Sequence, residues 1–183
     1  ILTYQYYDST EKSLYFSNYF DGLYKYDLNG KLITNWKVSD GSIPFQNGNI
    51  SFIVPKNDSL LWIGSGEEQG LVLFNKHTNR TIQLRSIEND PTSLAYNSVL
   101  ATYRDREGNE WMGTSNGISK ISNEGLAIKK WDAGMHTDRL PFLSIKKGAD
   151  NNYYVARFGY QGIWKINKEN DSISVIDIGK VPP

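Results

Sequence analysis

The chain has 183 residues, with 20 lysines and arginines balanced by 20 aspartates and glutamates, and its formal net charge is zero. This balance removes the electrostatic basis for a nucleic acid or an anionic membrane surface as the main partner. Because the sequence contains no cysteine, it excludes a disulfide framework, a thiolate nucleophile and a cysteine-based zinc site. Aromatic residues make up 13% of the chain and glycine is frequent, which favours strands joined by tight turns.

The chain opens directly on a strand-like segment, Ile1–Tyr7, without an initiating methionine, a basic leader or an apolar signal sequence. It also lacks a run of about 18 apolar residues of the kind that spans a membrane. We therefore interpret the sequence as a piece of a longer protein, and we expect any targeting signal or membrane anchor to lie outside it.

A repeat of about 45 residues runs through the whole chain. Its anchor is a glycine that recurs at intervals of 48, 47 and 45 residues, at Gly22, Gly70, Gly117 and Gly162. Leucine or isoleucine follows each glycine, a large apolar residue comes four positions after it, and a turn-forming asparagine, aspartate or serine comes next. So many matching positions indicate four copies of one structural unit.

Each copy resolves into four short strands separated by turn-forming segments. In the third copy the strands are predicted at Ser98–Arg104, Glu110–Thr114, Gly117–Ile121 and Leu126–Trp131. Four strands in each 40 to 50 residues are typical of β-propeller blades. The sequence therefore predicts an all-β fold, a β-propeller segment over residues 1–183. Its four blades of four antiparallel strands lie at about 1–48, 49–96, 97–141 and 142–183.

The tryptophans follow the same repeat, since all five fall in predicted strands. A single blade cannot bury both of its faces, so its neighbours must cover them. We therefore assign Trp36, Trp62, Trp111 and Trp131 to packing between blades rather than to a ligand site.

The third copy resembles a known family. Its segment Asp105–Ile118 reads D-R-E-G-N-E-W-M-G-T-S-N-G-I, which is similar to the two-component regulator propeller repeat, D-x-x-G-x-L-W-I-G-T-x-x-G-L. The second copy matches with L-W-I-G-S at Leu61–Ser65. The first and fourth copies depart from the motif, with L-Y-F-S at Leu14–Ser17 and Y-V-A-R at Tyr154–Arg157.

The resemblance implies a function. Members of this family form the periplasmic sensor region of hybrid two-component proteins of Bacteroidetes, which respond to glycan fragments. Such proteins combine propellers of about seven blades with a small β-sandwich, a membrane helix and histidine kinase parts. The resemblance thus implies that the chain is an arc of a larger propeller in the periplasmic part of an inner-membrane protein. It also implies an oligosaccharide ligand, no enzyme activity in this segment and no cofactor.

The other partners implied are the remaining blades and the signalling domains of the same protein. An arc exposes the faces of its terminal blades, which also favours a homodimer. A closed ring of four blades is the alternative to an arc.

Candidate ligand-binding residues follow from the order of strands in a blade. The turns between strands two and three and the connections between blades lie at one end, and both are long and variable here, as in Val38–Asn49 and Arg85–Asn97. This loop end also carries Glu67, Glu68 and Asp138. Arginine binds carboxylates in a bidentate manner and an aromatic ring covers the apolar face of a sugar. We therefore predict ligand-binding roles for Tyr19, Arg85, His136, Arg139, Arg157 and Tyr160.

Catalytic groups are sparse. The two histidines, His77 in a turn between strands three and four and His136 between blades, are predicted at opposite ends, which disfavours a shared metal or acid–base role. The acidic pair in Asp105–Glu107 falls in a repeat turn, where solvated side chains are expected. We therefore predict no catalytic or metal-binding residue. The alternatives are a lyase or hydrolase similar to streptogramin lyases, and a protein-interaction propeller.

Overall fold

The computed structural model describes residues 2–132, 142–158 and 162–179. In this part of the chain every regular element is a β-strand, and the strands form four antiparallel sheets of four strands each. Within each sheet the strands follow one another in chain order, so that every hydrogen-bonded neighbour is also a neighbour in sequence. The all-β prediction of four sheets of four antiparallel strands is confirmed.

The first two sheets occupy the first half of the chain. Sheet 1 consists of β1 (Leu2–Asp8), β2 (Ser13–Asn18), β3 (Gly22–Asp27) and β4 (Leu32–Lys37). Sheet 2 consists of β5 (Ile50–Pro55), β6 (Leu60–Ser65), β7 (Leu71–Asn75) and β8 (Thr81–Leu84).

The other two sheets follow in the second half. Sheet 3 consists of β9 (Val99–Arg104), β10 (Glu110–Thr114), β11 (Gly117–Ile121) and β12 (Ile128–Asp132). Sheet 4 consists of β13 (Phe142–Lys147), β14 (Tyr153–Arg157), β15 (Gly162–Ile166) and β16 (Ile173–Asp177). The middle strands of sheet 3 have the predicted bounds, and its last strand begins two residues later than predicted.

The chain divides into two compact units. The first comprises Ile1–Arg85 and Asn97–Val99, and the second comprises Ser86–Tyr96 and Leu100–Pro183. Each unit has a hydrophobic core of its own, formed where two consecutive sheets pack face to face.

The core of the first unit joins alternate residues of sheet 1 to alternate residues of sheet 2. In β2 the buried positions alternate with half-buried ones, which places Tyr15 on the face toward sheet 2. Its ring stacks on Trp36 at a centroid distance of 6.2 Å, and the Trp36 ring meets the edge of Phe74 from sheet 2 at 4.9 Å. Leu23 and Ile63 complete this contact and are fully buried.

The second unit repeats this packing with other aromatic residues. Trp111 and Trp131 of sheet 3 stack at 5.3 Å, and Tyr153 of sheet 4 lies 4.1 Å from Trp111. Packing between sheets is therefore confirmed for Trp36, Trp111 and Trp131. Trp62 is also fully buried.

Two tryptophans also donate hydrogen bonds to the next sheet. Trp36 Nε1 donates to Asn79 Oδ1 at 3.0 Å, and Trp131 Nε1 donates to the carbonyl oxygen of Asp171 at 3.0 Å. The two acceptor residues occupy the same repeat position, nine residues after the anchor glycine, and both have a positive φ, of 59° and 58°. A tryptophan thus binds the same turn position of the following sheet in both units, through a side-chain oxygen in one and a backbone carbonyl in the other.

The anchor glycine is required by the approach of the fourth strand. Gly22 and Gly70 have φ values of 133° and 86°, in the region that favours glycine. A Cβ at Gly22 would lie 2.3 Å from the carbonyl oxygen of Trp36, and one at Gly70 would lie 2.3 Å from that of Leu84. The spacing recognised in the sequence therefore records a close contact between two backbones.

A buried ion pair links sheet 2 to sheet 1 at the end opposite the loop end. We call it the turn end, because it carries the turns between strands one and two and between strands three and four of each sheet. Lys76 Nζ contacts Asp8 Oδ2, and it lies 3.5 Å from Glu11 Oε1. The side chains of Lys76 and Asp8 are only 2% and 3% exposed. Burial raises the pKa of Asp8, but the hydrogen bond from the Lys76 ammonium and those from the backbone outweigh it, so the pKa lies below its usual value.

Asp105 corrects one prediction, because it is buried rather than solvated. Its Oδ2 accepts hydrogen bonds from Trp111 Nε1 and from the Tyr153 hydroxyl, both at 2.9 Å, while its Oδ1 accepts one from the Asn109 amide at 2.8 Å. Asp105 thus closes its own turn and holds two aromatic residues of different sheets. Glu107, in the same turn, is exposed as predicted.

We predict that Lys76→Met lowers the free energy of unfolding by about 3 kcal/mol, since it leaves the Asp8 carboxylate buried without its cation. Urea denaturation followed by tryptophan fluorescence measures this change. Lys168→Met is the matched control, because Lys168 pairs with Glu107 at 2.6 Å but both side chains are well exposed. Its effect should be much smaller, and equal losses in the two variants would contradict the prediction.

We further predict that Asp105→Asn reduces the loss of folding stability that occurs when the pH is lowered. Burial raises the pKa of Asp105, but hydrogen bonds from Trp111, Asn109 and Tyr153 outweigh it and lower the pKa. A lowered pKa stabilises the fold above the unfolded value of about 3.9, and this contribution is lost as the pH falls through the folded pKa. The variant should be less stable at pH 7, and its deficit should shrink below about pH 4 in urea titrations. A deficit that stays constant would contradict the assignment.

Candidate functional site

At the loop end of the first unit, backbone hydrogen bonds join three loops. The connection between sheets 1 and 2 crosses beside the turn of sheet 1, where the Gly48 amide donates to the Tyr19 carbonyl at 2.8 Å. It then meets the turn of sheet 2, where the Gly66 amide donates to the Asn49 carbonyl at 3.1 Å. A Cβ at Gly48 would lie 1.9 Å from the Asn18 carbonyl oxygen, so only glycine fits there. Three loops are thus held in fixed positions at one end of two packed sheets.

The side chains of these loops converge on Glu67. Its Oε1 accepts hydrogen bonds from the Tyr19 hydroxyl at 2.7 Å and from Asn49 Nδ2 at 3.0 Å, and its Oε2 accepts one from Asn47 Nδ2. These hydrogen bonds, that from Tyr19 first, lower the pKa of Glu67 and keep it ionised. Among the described residues no cation lies within ion-pair distance of this carboxylate. It is an exposed negative charge oriented by neutral donors.

Gln69 supports the cluster from beneath. Its side chain is almost fully buried, and its Nε2 donates to Asn47 Oδ1 at 2.7 Å. Its Oε1 accepts hydrogen bonds from the backbone amides of Gln46 and Asn47. Gln83 in turn donates to the Gln69 carbonyl at 2.7 Å. The asparagine that orients the carboxylate is therefore itself held in place, which preorganises the site.

An exposed aromatic ring borders the cluster. Phe20 is 72% exposed and packs edge-on against Tyr19 at a centroid distance of 5.1 Å. The site thus combines a fixed carboxylate, amide groups and an uncovered ring. We call the residues Tyr19, Phe20, Asn47, Asn49 and Glu67 the Glu67 cluster.

The predicted ligand-binding residues occupy different places. Tyr19 belongs to the Glu67 cluster, and Arg85 lies next to it, because its Nη2 donates to the carbonyl of Glu68 at 3.2 Å. Arg157 belongs to the second unit, where it ends β14, is 7% exposed and lies 5.5 Å from the centroid of the Phe142 ring. The other three predicted residues, His136, Arg139 and Tyr160, lie outside the described residues.

Sequence reasoning missed the amides that orient the carboxylate. Asn47 and Asn49 flank a glycine in a connection without periodicity, and Gln69 directly precedes an anchor glycine. Glu67 is present among the predicted loop residues, but no pattern distinguishes it from Glu68. The useful signal was the asparagine–glycine–asparagine triplet, which is typical of a tight turn that aims two side chains.

A concave surface, separate from the Glu67 cluster, lies on the face of sheet 1 that points away from sheet 2. It has a volume of about 610 Å³ and is lined mainly by apolar and aromatic side chains, chiefly Leu14, Phe16, Tyr24 and Tyr26. Their counterparts in sheet 2 are Leu61, Ile63, Val72 and Phe74, which are fully buried in the core of the first unit. By position this groove is a packing face, so the Glu67 cluster is the better candidate for a polar ligand.

Groups that could bind a metal are missing from the described residues, which contain no cluster of three or more histidine, cysteine, aspartate or glutamate side chains. His77 lies in the turn after β7, at the opposite end of sheet 2 from Glu67, and is exposed. Across the same residues, no helix has the length and apolar character needed to cross a membrane.

We predict that Tyr19→Phe raises the pKa of Glu67 toward its usual value, because the Tyr19 hydroxyl is the main group that lowers it. Titration of the Glu67 side-chain carboxyl by NMR measures the change. Tyr24→Phe is the matched control, since the Tyr24 hydroxyl bonds to Asp21 instead. A Glu67 pKa that is the same in both variants would show that Tyr19 does not orient the carboxylate.

Comparison with known proteins supports the repeat and the fold. Residues 93–116 match the family model described as two component regulator propeller. A relative named histidine kinase P4, from Formosa agariphila, is 30% identical over an alignment of 112 residues, and the match covers 58% of this chain and 8% of the relative.

Solved structures are similar over almost the entire chain. The extracellular domain of a hybrid two-component system from B. thetaiotaomicron has a TM-score of 0.70 and 21% identity, covering 98% of this chain and 22% of that one. Virginiamycin B lyase from Staphylococcus aureus has a TM-score of 0.67 and 15% identity, covering 97% of this chain and 55% of the lyase. The chain thus spans a small part of the two-component relatives and about half of the lyase. It has the β-propeller fold, and its residues 93–116 are a two component regulator propeller repeat.

Proposed function

We propose that the chain is a ligand-sensing segment of a propeller in a hybrid two-component protein, and that it binds an oligosaccharide at the Glu67 cluster. The family match at residues 93–116 and the likeness to an extracellular two-component domain support the sensor assignment. The extracellular location of that domain supports a periplasmic position, as part of a protein anchored in the inner membrane. The remaining blades of a larger propeller and a histidine kinase would complete the protein.

The observation that carries the ligand assignment is the geometry of Glu67. This carboxylate is fixed by neutral donors and has no ion-pair partner among the described residues. It therefore retains acceptor capacity for further hydrogen bonds, such as those from adjacent sugar hydroxyls. The exposed ring of Phe20 offers an apolar surface for the C–H face of a sugar ring. Arg85 lies beside the cluster, because its guanidinium donates a hydrogen bond to the carbonyl of Glu68. It could pair with the carboxylate of a uronic acid.

The position of the cluster suggests how binding is transmitted. Its residues come from the turn of sheet 1, the connection to sheet 2 and the turn of sheet 2. A ligand that bridges Phe20 and Glu67 would therefore fix one sheet relative to the other. Such a change in two packed sheets can pass to adjoining blades, because packed cores rearrange as units.

The enzyme alternative rests on the likeness to virginiamycin B lyase. Fold likeness does not determine activity. Within the described residues His77 and the Glu67 cluster lie at opposite ends of sheet 2, so they cannot share one reaction centre. A binding role therefore accounts better for the groups that these residues bring together.

Calorimetric titration against a panel of neutral and uronic-acid oligosaccharides tests the proposal. We expect Glu67→Gln and Phe20→Ala each to weaken binding about tenfold, because they remove charged hydrogen bonding and ring contact respectively. Glu124→Gln is the matched control, since Glu124 is an exposed carboxylate in the turn after β11, at the other end of its sheet. Its affinity should equal that of the unmodified chain.

Two results would contradict the proposal. One is the absence of binding to any member of the panel while another compound is turned over. The other is binding that Glu67→Gln and Phe20→Ala leave unchanged. Circular dichroism of each variant separates loss of the site from loss of the fold.

A further inference from the structure

Lysines at one repeat position link consecutive sheets in both units. Lys76 follows the anchor glycine of sheet 2 by six residues, and Lys168 follows that of sheet 4 by six. Lys76 reaches the acids Asp8 and Glu11 in the first turn of sheet 1, and Lys168 reaches Glu107 in the first turn of sheet 3 at 2.6 Å. A lysine after the third strand thus pairs, in each unit, with the acidic turn of the preceding sheet.

Glu11, the second acid that Lys76 approaches, belongs to a local arrangement of three side chains. Glu11 Oε2 accepts hydrogen bonds from the Tyr15 hydroxyl, four residues later, and from Lys25 Nζ. Tyr15 and Lys25 are partners across β2 and β3, and the ammonium lies 5.5 Å from the centroid of the tyrosine ring. The arrangement gathers a carboxylate, a phenol and an ammonium on the face toward the next sheet.

Sheet 4 carries an equivalent arrangement by strand pairing, with the acid and the tyrosine one residue further from the anchor glycine. Asp150 Oδ2 accepts hydrogen bonds from the Tyr154 hydroxyl, four residues later, at 2.8 Å and from Lys165 Nζ at 2.9 Å. Tyr154 and Lys165 are again cross-strand partners, with the ammonium 5.6 Å from the ring centroid. In the described part of the chain no lysine from another sheet reaches Asp150, in contrast to Glu11.

The apolar residues around this arrangement are less covered than those of sheet 1, since Ile163 is half-buried and Leu23 fully buried. Ile163 pairs with Ile176 in sheet 4 as Leu23 pairs with Trp36 in sheet 1, where both residues pack against the next sheet. Ile176 is 41% exposed, whereas Trp36 is 5% exposed. All five residues of β16 are exposed. We call Asp150, Tyr154, Ile163, Lys165 and Ile176 the open face of sheet 4.

We propose that the open face of sheet 4 is the docking surface for a further four-stranded sheet with lysine or arginine six residues after its anchor glycine. The apolar columns fit any sheet of this repeat, while the carboxylate of Asp150 selects the cation. Sheet 1 of a second copy of the chain does not meet this requirement, since its residue at that position is Leu28, which is 56% exposed. Sheet 3 has Asn123 there, and the lysines of sheets 2 and 4 already pair with the sheet before them. The partner sheet is therefore one that this chain does not contain. The inference is independent of the ligand proposed for the loop end.

Residue 28 of the 183-residue chain provides the test, because Leu28→Lys gives sheet 1 the missing cation and Leu28→Gln is its uncharged control. Sedimentation velocity over a range of concentrations and urea denaturation are measured for both variants, alone and combined with Asp150→Asn. We expect Leu28→Lys to associate about tenfold more tightly than Leu28→Gln, and the difference to disappear with Asp150→Asn.

Two outcomes would overturn the proposal. Equal association and equal urea midpoints for Leu28→Lys and Leu28→Gln would show that the cation does not select the partner. A difference that persists with Asp150→Asn would show that the lysine acts elsewhere. Leu28 is exposed and lies in a turn, so neither substitution disturbs the core on which the comparison depends.

Discussion

Face-to-face packing of consecutive sheets is the constraint on which the molecule depends. A four-stranded sheet has two faces and cannot bury either by itself, so in each unit the first sheet packs an aromatic column against the second. Trp36 meets Phe74 in one unit, and Trp111 meets Tyr153 in the other. The hydrophobic effect has no preferred direction, so it does not fix the position of one sheet along the other. The tryptophan hydrogen bonds to Asn79 and Asp171 fix that position.

The two ends of the sheets use polar groups in different ways. At the turn end, Asp8 and Asp105 are buried carboxylates whose partners come partly from the following sheet. Replacing them costs stability, since their charges are satisfied only in the packed state. At the loop end, the donors to Glu67 among the described residues are neutral groups, and its side chain faces solvent. The turn end therefore stabilises the packing of the sheets, and the loop end keeps a carboxylate that can accept further hydrogen bonds.

The repeat made the fold predictable, whereas the site depends on contacts that no repeat records. The anchor glycines and the tryptophans could be assigned because their contacts recur: the close backbone approach at Gly22 and Gly70, and tryptophan packing against the following sheet in both units. Asp105 was expected to be solvated, because its turn is polar, and its burial depends on Tyr153, which lies 48 residues away in the next sheet. Glu67 could not be distinguished from Glu68, because Asn47 and Asn49 approach it through a connection whose conformation has no periodic signal.

The lysine that follows the third strand has a consequence for how such chains grow. A sheet that has both this lysine and an acidic first turn carries both halves of the contact. Its lysine pairs with the preceding sheet, and its acid pairs with the following one. Duplication of the gene segment for such a unit would yield a compatible neighbour without any compensating mutation. A sheet in which another residue replaces the lysine, as Leu28 does in sheet 1, can no longer take the place of its neighbours. Its position in the order of blades is then fixed. Divergence at one surface position could thus set the order of blades after duplication had set their number.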